Sequence, residues 1–306
     1  MHEAAVLDEL KVGGLTLRGI TRGGIETCLM VPELGVMFDV GMCPPGALKY
    51  DTILVSHGHA DHLGGVGYLV SQRQLMRAPP PAIHVPQEVH APLTAILRGW
   101  AEIEGFDLQW QLHGHAPGDR FPLGGGLSRG CAAHCLRTTH RVPSLGWVVE
   151  RTTSRLKPEY VGLPGPEIAA LRKSGVDVLD AHTEPLICVS GDTQIEFFQQ
   201  HELVRRCRVL VHEVTSWTDE RDVAQTRRWG HTHLDELVAE SERFTGEALV
   251  LVHRSMRHSR AEAERLARER FPRACATACT CSATDFRDRE QGTWPKGHMM
   301  TAPPTS

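Results

Sequence analysis

Short apolar runs recur along the chain, and polar clusters break most of them off. Leu15–Ile20, Thr27–Val31 and Val36–Val40 are separated by Gly and Pro, which predicts strands joined by tight turns. Thr52–Val55 is a further strand that stops at Ser56-His57-Gly58-His59, and the chain turns helical after His62, where Gly64-Gly65 permits close packing. Ala82–Val85 predicts another strand. Val89, Leu93, Ile96, Leu97, Trp100 and Ile103 then repeat at helical spacing and mark one face of a helix. Strand-like segments follow near Leu108–Leu112, Leu127–Thr138, Leu145–Glu150, Leu186–Val189 and Val209–Val211. Leu234, Leu237, Val238, Ser241 and Phe244 outline a helix that Thr232 and Asp235 are placed to cap. Ala248–Val252 is one more buried strand, and Ser259 with Glu262 resembles a capping box opening a last helix to about Arg270.

Strands followed by helices, twice over, fit an α/β fold of two mixed sheets with helices on the outer faces, an αββα sandwich. A regular parallel βαβ repeat fits less well. With no internal repeat or linker, residues 1–272 read as one domain of the 306-residue chain, and 273–306 as a disordered tail holding Cys275, Cys279 and Cys281. Their C-x3-C-x-C spacing is not that of a structural zinc site.

Composition narrows the class. Lys and Arg number 33 against 37 Asp and Glu, a net charge of −4, which excludes a globally basic nucleic-acid binder but not a local basic face. No apolar run approaches the ~18 residues of a membrane span. The nine cysteines are an odd count with no secretory leader, so reduced thiols and a cytoplasmic location are expected. The outlying number is 18 histidines, which raises the question of whether they gather.

Several do. His57-Gly58-His59-Ala60-Asp61-His62 places four potential ligands in six residues directly after a strand. On a loop, His57 and His59 can point to one centre while Asp61 and His62 face a second, and imidazole with carboxylate suits zinc or a similar divalent ion. Further clusters follow at Thr139-His140 with Pro143-Ser144 and Gly146, at Gly191-Asp192-Thr193, at His212-Glu213 with Thr215, at Gly230-His231-Thr232-His233, and at His253 with Ser255 and Arg257.

In this order the motifs resemble a metallo-β-lactamase-fold hydrolase, and within that superfamily the chain is similar to ribonuclease Z, the tRNA 3′-processing endonuclease. The likeness runs from about Gly19 to Arg257. The His-Glu-x-Thr and Gly-His-Thr-His clusters point to short plant-type members in particular. The resemblance implies that His57, His59 and His140 hold one Zn2+, that Asp61, His62 and His253 hold a second, and that Asp192 bridges them, with another divalent metal such as Mn2+ as an alternative. Two metals ~3.5–4 Å apart can bridge a hydroxide and clamp the oxygens of an in-line displacement at phosphorus. Asp61 would also orient that hydroxide. The family's general acid, a His–Glu pair, corresponds to His231 and Glu213, and His233 is a weaker candidate, either for the outer surroundings of the metals or simply as the first exposed residue of the helix.

Ser144 and Arg257 lie beside ligand loops and are candidates for holding substrate phosphate. Arg137, Arg141, Arg151, Arg155 and Lys157 surround His140 with a net +4 once Glu150 is counted, and Arg254, Arg257 and Arg260 flank His253. These runs offer a phosphate-facing rim. Many bacterial members carry a long arm with a Gly-Pro-rich motif. Here Gly162-Leu163-Pro164-Gly165-Pro166 is similar to that motif, but only about forty residues separate Glu150 from Gly191, so a shortened arm near 151–185 is expected. The resemblance further implies precursor tRNA as the substrate, no membrane partner and a homodimer. A small-molecule hydrolase of the same fold (cyclic-nucleotide phosphodiesterase, lactonase or thioesterase) stays open as the alternative, and a non-catalytic binding module as a third. No Walker A loop, G-x-S-x-G elbow or Rossmann fingerprint is present.

Overall fold

The computed structural model describes residues 8–271 and the backbone of 276–277. One seven-stranded sheet runs β1 (Asp8–Val12), β2 (Leu15–Arg22), β3 (Glu26–Val31), β4 (Val36–Phe38), β5 (Thr52–Leu54), β6 (Ala82–Pro86) and β7 (Gln111–His115) in sequence order. A second has β8 (Arg120–Pro122), β9 (Cys131–Arg137), β10 (Leu145–Leu156), β11 (Leu179–Val189), β12 (Val209–Glu213), β13 (Ala248–Val252) and β14 (Ala276–Thr277). Strands β4 to β7 are parallel to one another, as are β11 to β14, and the remaining pairings are antiparallel. The helices are α1 (Ala60–Leu63), α2 (Val66–Leu75), α3 (Gln87–Glu104), α4 (Gly165–Lys173), α5 (Glu196–Gln200), α6 (Glu202–Arg205), α7 (Val223–Arg228), α8 (Leu234–Glu240) and α9 (Arg260–Arg270).

Alternation along the strands makes three apolar layers. Leu17, Val31 and Phe38 of the first sheet meet Trp147, Val211 and Val250 of the second between the sheets. Leu210, Leu249 and Leu251 point the other way, onto Phe197, Phe198, Leu234 and Ala263 of the covering helices. Met37, Ile53 and Ile83 likewise pack on Leu69, Val70, Leu93 and Leu97. Strand β13 is therefore buried on both faces, which is why Ala-Leu-Val-Leu-Val reads as a continuous apolar run. The layers are helix, sheet, sheet, helix: the αββα sandwich expected from the sequence.

Four readings change. The apolar stripe of α3 is only half used: Leu93 and Leu97 are buried, but Ile96, Trp100 and Ile103 are 61, 42 and 77% exposed. Only a narrow line of its side chains, through Leu93 and Leu97, finds a partner layer. Strands β10 and β11 run well past the expected Leu145–Glu150 and Leu186–Val189, pairing from Arg151 with Glu184 out to Leu156 with Leu179 as a two-stranded ribbon. With α4 at its tip, this ribbon is the arm at 151–185. Its side chains are largely solvated, so no hydrophobic pattern announced its strands. His233, not Thr232, caps α8: its Nδ1 accepts from the Asp235 amide at 3.1 Å. Finally, Ala276–Thr277 pairs with β13 as an edge strand inside the segment expected to be tail, while the rest of that segment, including the three cysteines, lies outside the described residues. No helix among the described residues is long and apolar enough to cross a membrane.

Candidate active site

The parallel strands end at one rim of the sandwich, and their carboxyl ends carry the polar clusters, as open α/β sheets generally place their ligands. β5 delivers Ser56 and His57, β11 delivers Gly191 and Asp192, β12 ends on His212 and Glu213, and β13 runs into His253. The β5 exit is stitched down: the Trp147 indole donates to the Val55 carbonyl at 3.0 Å and the Leu145 amide to the Ser56 carbonyl at 2.9 Å. Gly191 has a φ of +60°, and a Cβ there would lie 2.5 Å from Ser56 Cβ, so only glycine lets the Asp192 loop approach this closely.

Two groups of donor atoms converge. His57 Nε2 stands 2.9 Å from His59 Nδ1 and 3.6 Å from Asp192 Oδ2, and His140 Nε2 stands 3.4 and 3.9 Å from the same two atoms. In the second group His62 Nε2 lies 3.3 Å from His253 Nε2, 3.7 Å from Asp61 Oδ2 and 3.4 Å from Asp192 Oδ1. His253 Nε2 lies 3.6 and 3.3 Å from those two carboxylate oxygens. Atoms bound tetrahedrally at ~2.0–2.1 Å from one zinc ion stand about 3.3–3.4 Å apart. Both groups have that spacing, and the two oxygens of Asp192 serve one group each.

The chemistry of the donors also fits divalent cations. Asp192 Oδ1 is buried and lacks a hydrogen-bond donor, a cost in a closed site unless a cation meets it. Burial holds His57, His59 and His140 below the ordinary histidine value, neutral and able to offer a lone pair. Burial alone would lower His62 too, but Asp192, Asp39 and Asp61 hold it up at about 10. The centre of this group is a place where carboxylates stabilise positive charge.

The other nitrogen of most ligating rings is fixed, as metal-binding imidazoles require. His62 Nδ1 is 2.8 Å from Asp39 Oδ2, His57 Nδ1 3.0 Å from Ser56 Oγ, and His253 Nδ1 3.0 Å from Thr215 Oγ1; His140 Nδ1 donates to the Gly230 carbonyl at 2.8 Å. Asp39, 1% exposed, also accepts from the Ser56 amide and hydroxyl at 2.7 and 2.9 Å. It is a positioning residue absent from the sequence-based set. The one available signal was its place, an acid at the end of an apolar strand like the other clusters.

Glu213 and His231 come together as the resemblance implies. His231 Nδ1 lies 3.0 Å from Glu213 Oε1, which also accepts from the Thr193 and Thr232 amides at 3.1 and 3.2 Å. Thr215 donates to the second carboxylate oxygen at 2.9 Å. The carboxylate is thus rigid, and it commits His231 Nδ1, leaving Nε2 as the ring's exchangeable position. Burial works against charging His231, but Glu213 and Asp192 raise it to about 9. The imidazole sits over the metal groups, its ring 5.2 Å from His140 and 5.4 Å from His253.

Other expected residues separate. Ser144 reaches inward, bridging His57 through its backbone, with its hydroxyl 3.5 Å from the Asp192 carbonyl. Arg257 is exposed on the rim, lining a cavity of about 450 Å³ with Ile25, Glu220 and Met256. His233 is buried, with Nε2 3.3 Å from the Thr218 carbonyl, and it serves helix α8 rather than the metals. The basic rim is smaller than the sequence suggested. Arg254 is 2% exposed and turned in toward the His258 carbonyl, while Arg151, Arg155 and Lys157 run out along the arm, leaving Arg137 and Arg141 near His140.

Comparison with known proteins agrees with this geometry. Residues 42–157 match the Beta-lactamase superfamily domain model. The chain is 34% identical over 174 residues to the nuclear ribonuclease Z of Triticum aestivum, covering 57% of this chain and 97% of that one. Its fold is similar to the short form of human tRNase Z, with a TM-score of 0.54 and 18% identity, covering 78% of this chain and 91% of that one. It is also 33% identical to tRNase Z TRZ1 of Arabidopsis thaliana over 257 residues, which span 83% of this chain and 90% of the relative. With paired donor groups on an αββα scaffold and this likeness over nearly the whole relative, the chain belongs to the tRNase Z family.

Proposed function

We propose that this protein is an endoribonuclease that removes the 3′ trailer of precursor tRNA, holding two Zn2+ ions in its paired donor groups. The observation that carries the reading is the Glu213–His231 pair, hydrogen bonded at 3.0 Å beside those groups. Hydrolysis of a small ester with a good leaving group needs no such acid, whereas an RNA phosphodiester expels an alkoxide that must be protonated. The relatives this chain matches at 33 and 34% identity are named tRNase Z and ribonuclease Z.

His57, His59, His140 and one oxygen of Asp192 would hold one ion; Asp61, His62, His253 and the other oxygen would hold the second. When bound, such a pair supplies Lewis acidity toward the phosphate oxygens and makes water a nucleophile near neutral pH. The remaining work falls to the chain. Asp61 is held well below the usual carboxylate range by His253 and His62 despite its burial, so it stays an acceptor that can align the attacking water. The Gly24 amide donates to Asp61 Oδ2 at 2.8 Å and fixes its orientation. His231, charged and oriented by Glu213, delivers a proton from Nε2 to the departing ribose oxygen. Glu213 keeps its orientation throughout, because four donors hold the carboxylate in place.

The discriminating experiment compares kcat/KM for a precursor tRNA carrying a 3′ trailer with that for cyclic nucleotides, lactones and thioesters. The RNA is expected to be preferred by at least ~10³-fold, the range that positioning and proton transfer together supply. Equal or better turnover of a small substrate would instead make this a small-molecule hydrolase.

A further inference from the structure

Trp229 ends α7 two residues before His231, and it is 38% exposed at the rim of the metal site. The guanidinium of Arg141, next to His140, lies over its ring at 4.7 Å from the centroid. We propose that Trp229 is a stacking platform for one base of the RNA: the base of the nucleotide whose ribose oxygen leaves. On this view Arg141 covers the ring in the free protein and moves to a neighbouring phosphate when the base takes its place. The inference rests on the reading of the protein as an endoribonuclease.

Three observations support it. First, the backbone that carries the indole is held rigidly. Helix α7 is opened by a reciprocal cap in which Asp222 accepts from the Gln225 amide at 2.7 Å, and Arg227 pairs with both Glu196 and Glu236. The Gly230 carbonyl that follows accepts from His140 Nδ1. Gly230 has a φ of +80°, and a Cβ there would lie 2.7 Å from His140 Nδ1, so Trp229, Gly230 and His231 are locked against the ligand loop. Second, the platform adjoins the proton donor. A ribose whose oxygen is within reach of His231 puts its own base, not one several nucleotides away, at Trp229. Third, the pairing suits unpaired RNA. Single-stranded bases are captured on aromatic faces and guanidinium planes, while an exposed arginine neutralises the adjoining phosphate. On the endoribonuclease reading, Trp229 stands where a trailer junction must pass.

The test measures binding and single-turnover cleavage of a precursor tRNA with a 3′ trailer, alongside matched RNAs with an abasic residue on either side of the cut. The nucleotide carrying the leaving oxygen is identified from the product end bearing a free hydroxyl. Trp229→Ala is expected to weaken binding of the intact RNA about tenfold, and Trp229→Phe to recover most of that loss. The abasic change at that nucleotide should cost the wild type a similar factor and Trp229→Ala nothing further. The abasic change on the opposite side of the cut should add independently to Trp229→Ala. Arg141→Ala should lower the salt slope of binding by about one. Binding of the intact RNA unchanged in Trp229→Ala, or full additivity with the abasic change at the predicted nucleotide, overturns the proposal; an unchanged salt slope removes Arg141 from it. A wild type that cuts the precursor without this coupling refutes the platform alone, whereas a wild type that leaves the precursor uncut removes the endoribonuclease reading and the platform with it.

Discussion

Replacing Asp192 with asparagine is expected to strip the protein of most of its bound metal and to abolish phosphodiester cleavage. Asp192 is 2% exposed and divides its oxygens between two groups, Oδ2 toward His57 and His140, Oδ1 toward His62 and His253. Burial disfavours its charge, yet His253, His62 and His57 hold the carboxyl well below its usual range, so the site is built around an anion at this position. Asparagine preserves volume and one acceptor, but its amide turns a donor toward one group and removes the charge that balances both. Losing an outer partner of a metal ligand typically costs 10–100-fold in affinity. A shared ligand should cost more than that for both ions at once. Metal analysis after dialysis, set beside a thermal midpoint to show that the variant folds, reads the result directly. Retention of two equivalents would mean that Asp192 is not the bridge.

His231→Ala is expected to keep its metal and lose its chemistry. With Nδ1 committed to Glu213, His231 contributes a proton rather than a ligand atom, so the metal content should match the wild type. Cleavage of precursor tRNA should fall by ~10²–10⁴-fold, the usual worth of a positioned general acid. Hydrolysis of an activated phosphodiester such as bis(p-nitrophenyl) phosphate should fall far less, since nitrophenolate leaves without a proton. The contrast between substrates is the diagnostic. Equal losses on both, or a fall in bound metal, would instead place His231 among the ligands, where its proximity to Asp192 and His253 makes such a role geometrically conceivable.

How much of this was legible in the sequence depended on the range of the interactions. The His57–His62 motif is local: a strand, a loop and one helical turn determine where its four side chains point, so reading six residues was enough. Asp192, His140 and His253 are each unremarkable alone, and the order of motifs rather than any one spacing identified them. Strands such as Ala248–Val252 declared themselves because both faces are buried. The strands of the arm did not, because a solvated ribbon is held by backbone pairing and leaves no apolar signature. The α3 stripe misled for the opposite reason: its periodicity is real, but burial depends on which of its side chains find a partner layer, which no local pattern encodes. Asp39 and Arg254 fall in the same class. One supports His62 from 23 residues away and the other turns inward beside a ligand, and neither fact follows from its neighbours in the chain. Of the histidines singled out in the sequence, His233 is the one whose side chain caps a helix.

The most direct measurement is incubation of wild-type protein and Asp61→Ala with a precursor tRNA that carries a 3′ trailer, followed by mapping of the product ends. Asp61 stands in the second donor group and is also the residue placed to align the attacking water. The expected result is a single cut by the wild type that releases the trailer, with the precursor left intact by Asp61→Ala at equal concentration. A trailer removed at the same rate by both proteins, or untouched by a metal-loaded wild type, would contradict the assignment of this site to tRNA 3′ processing.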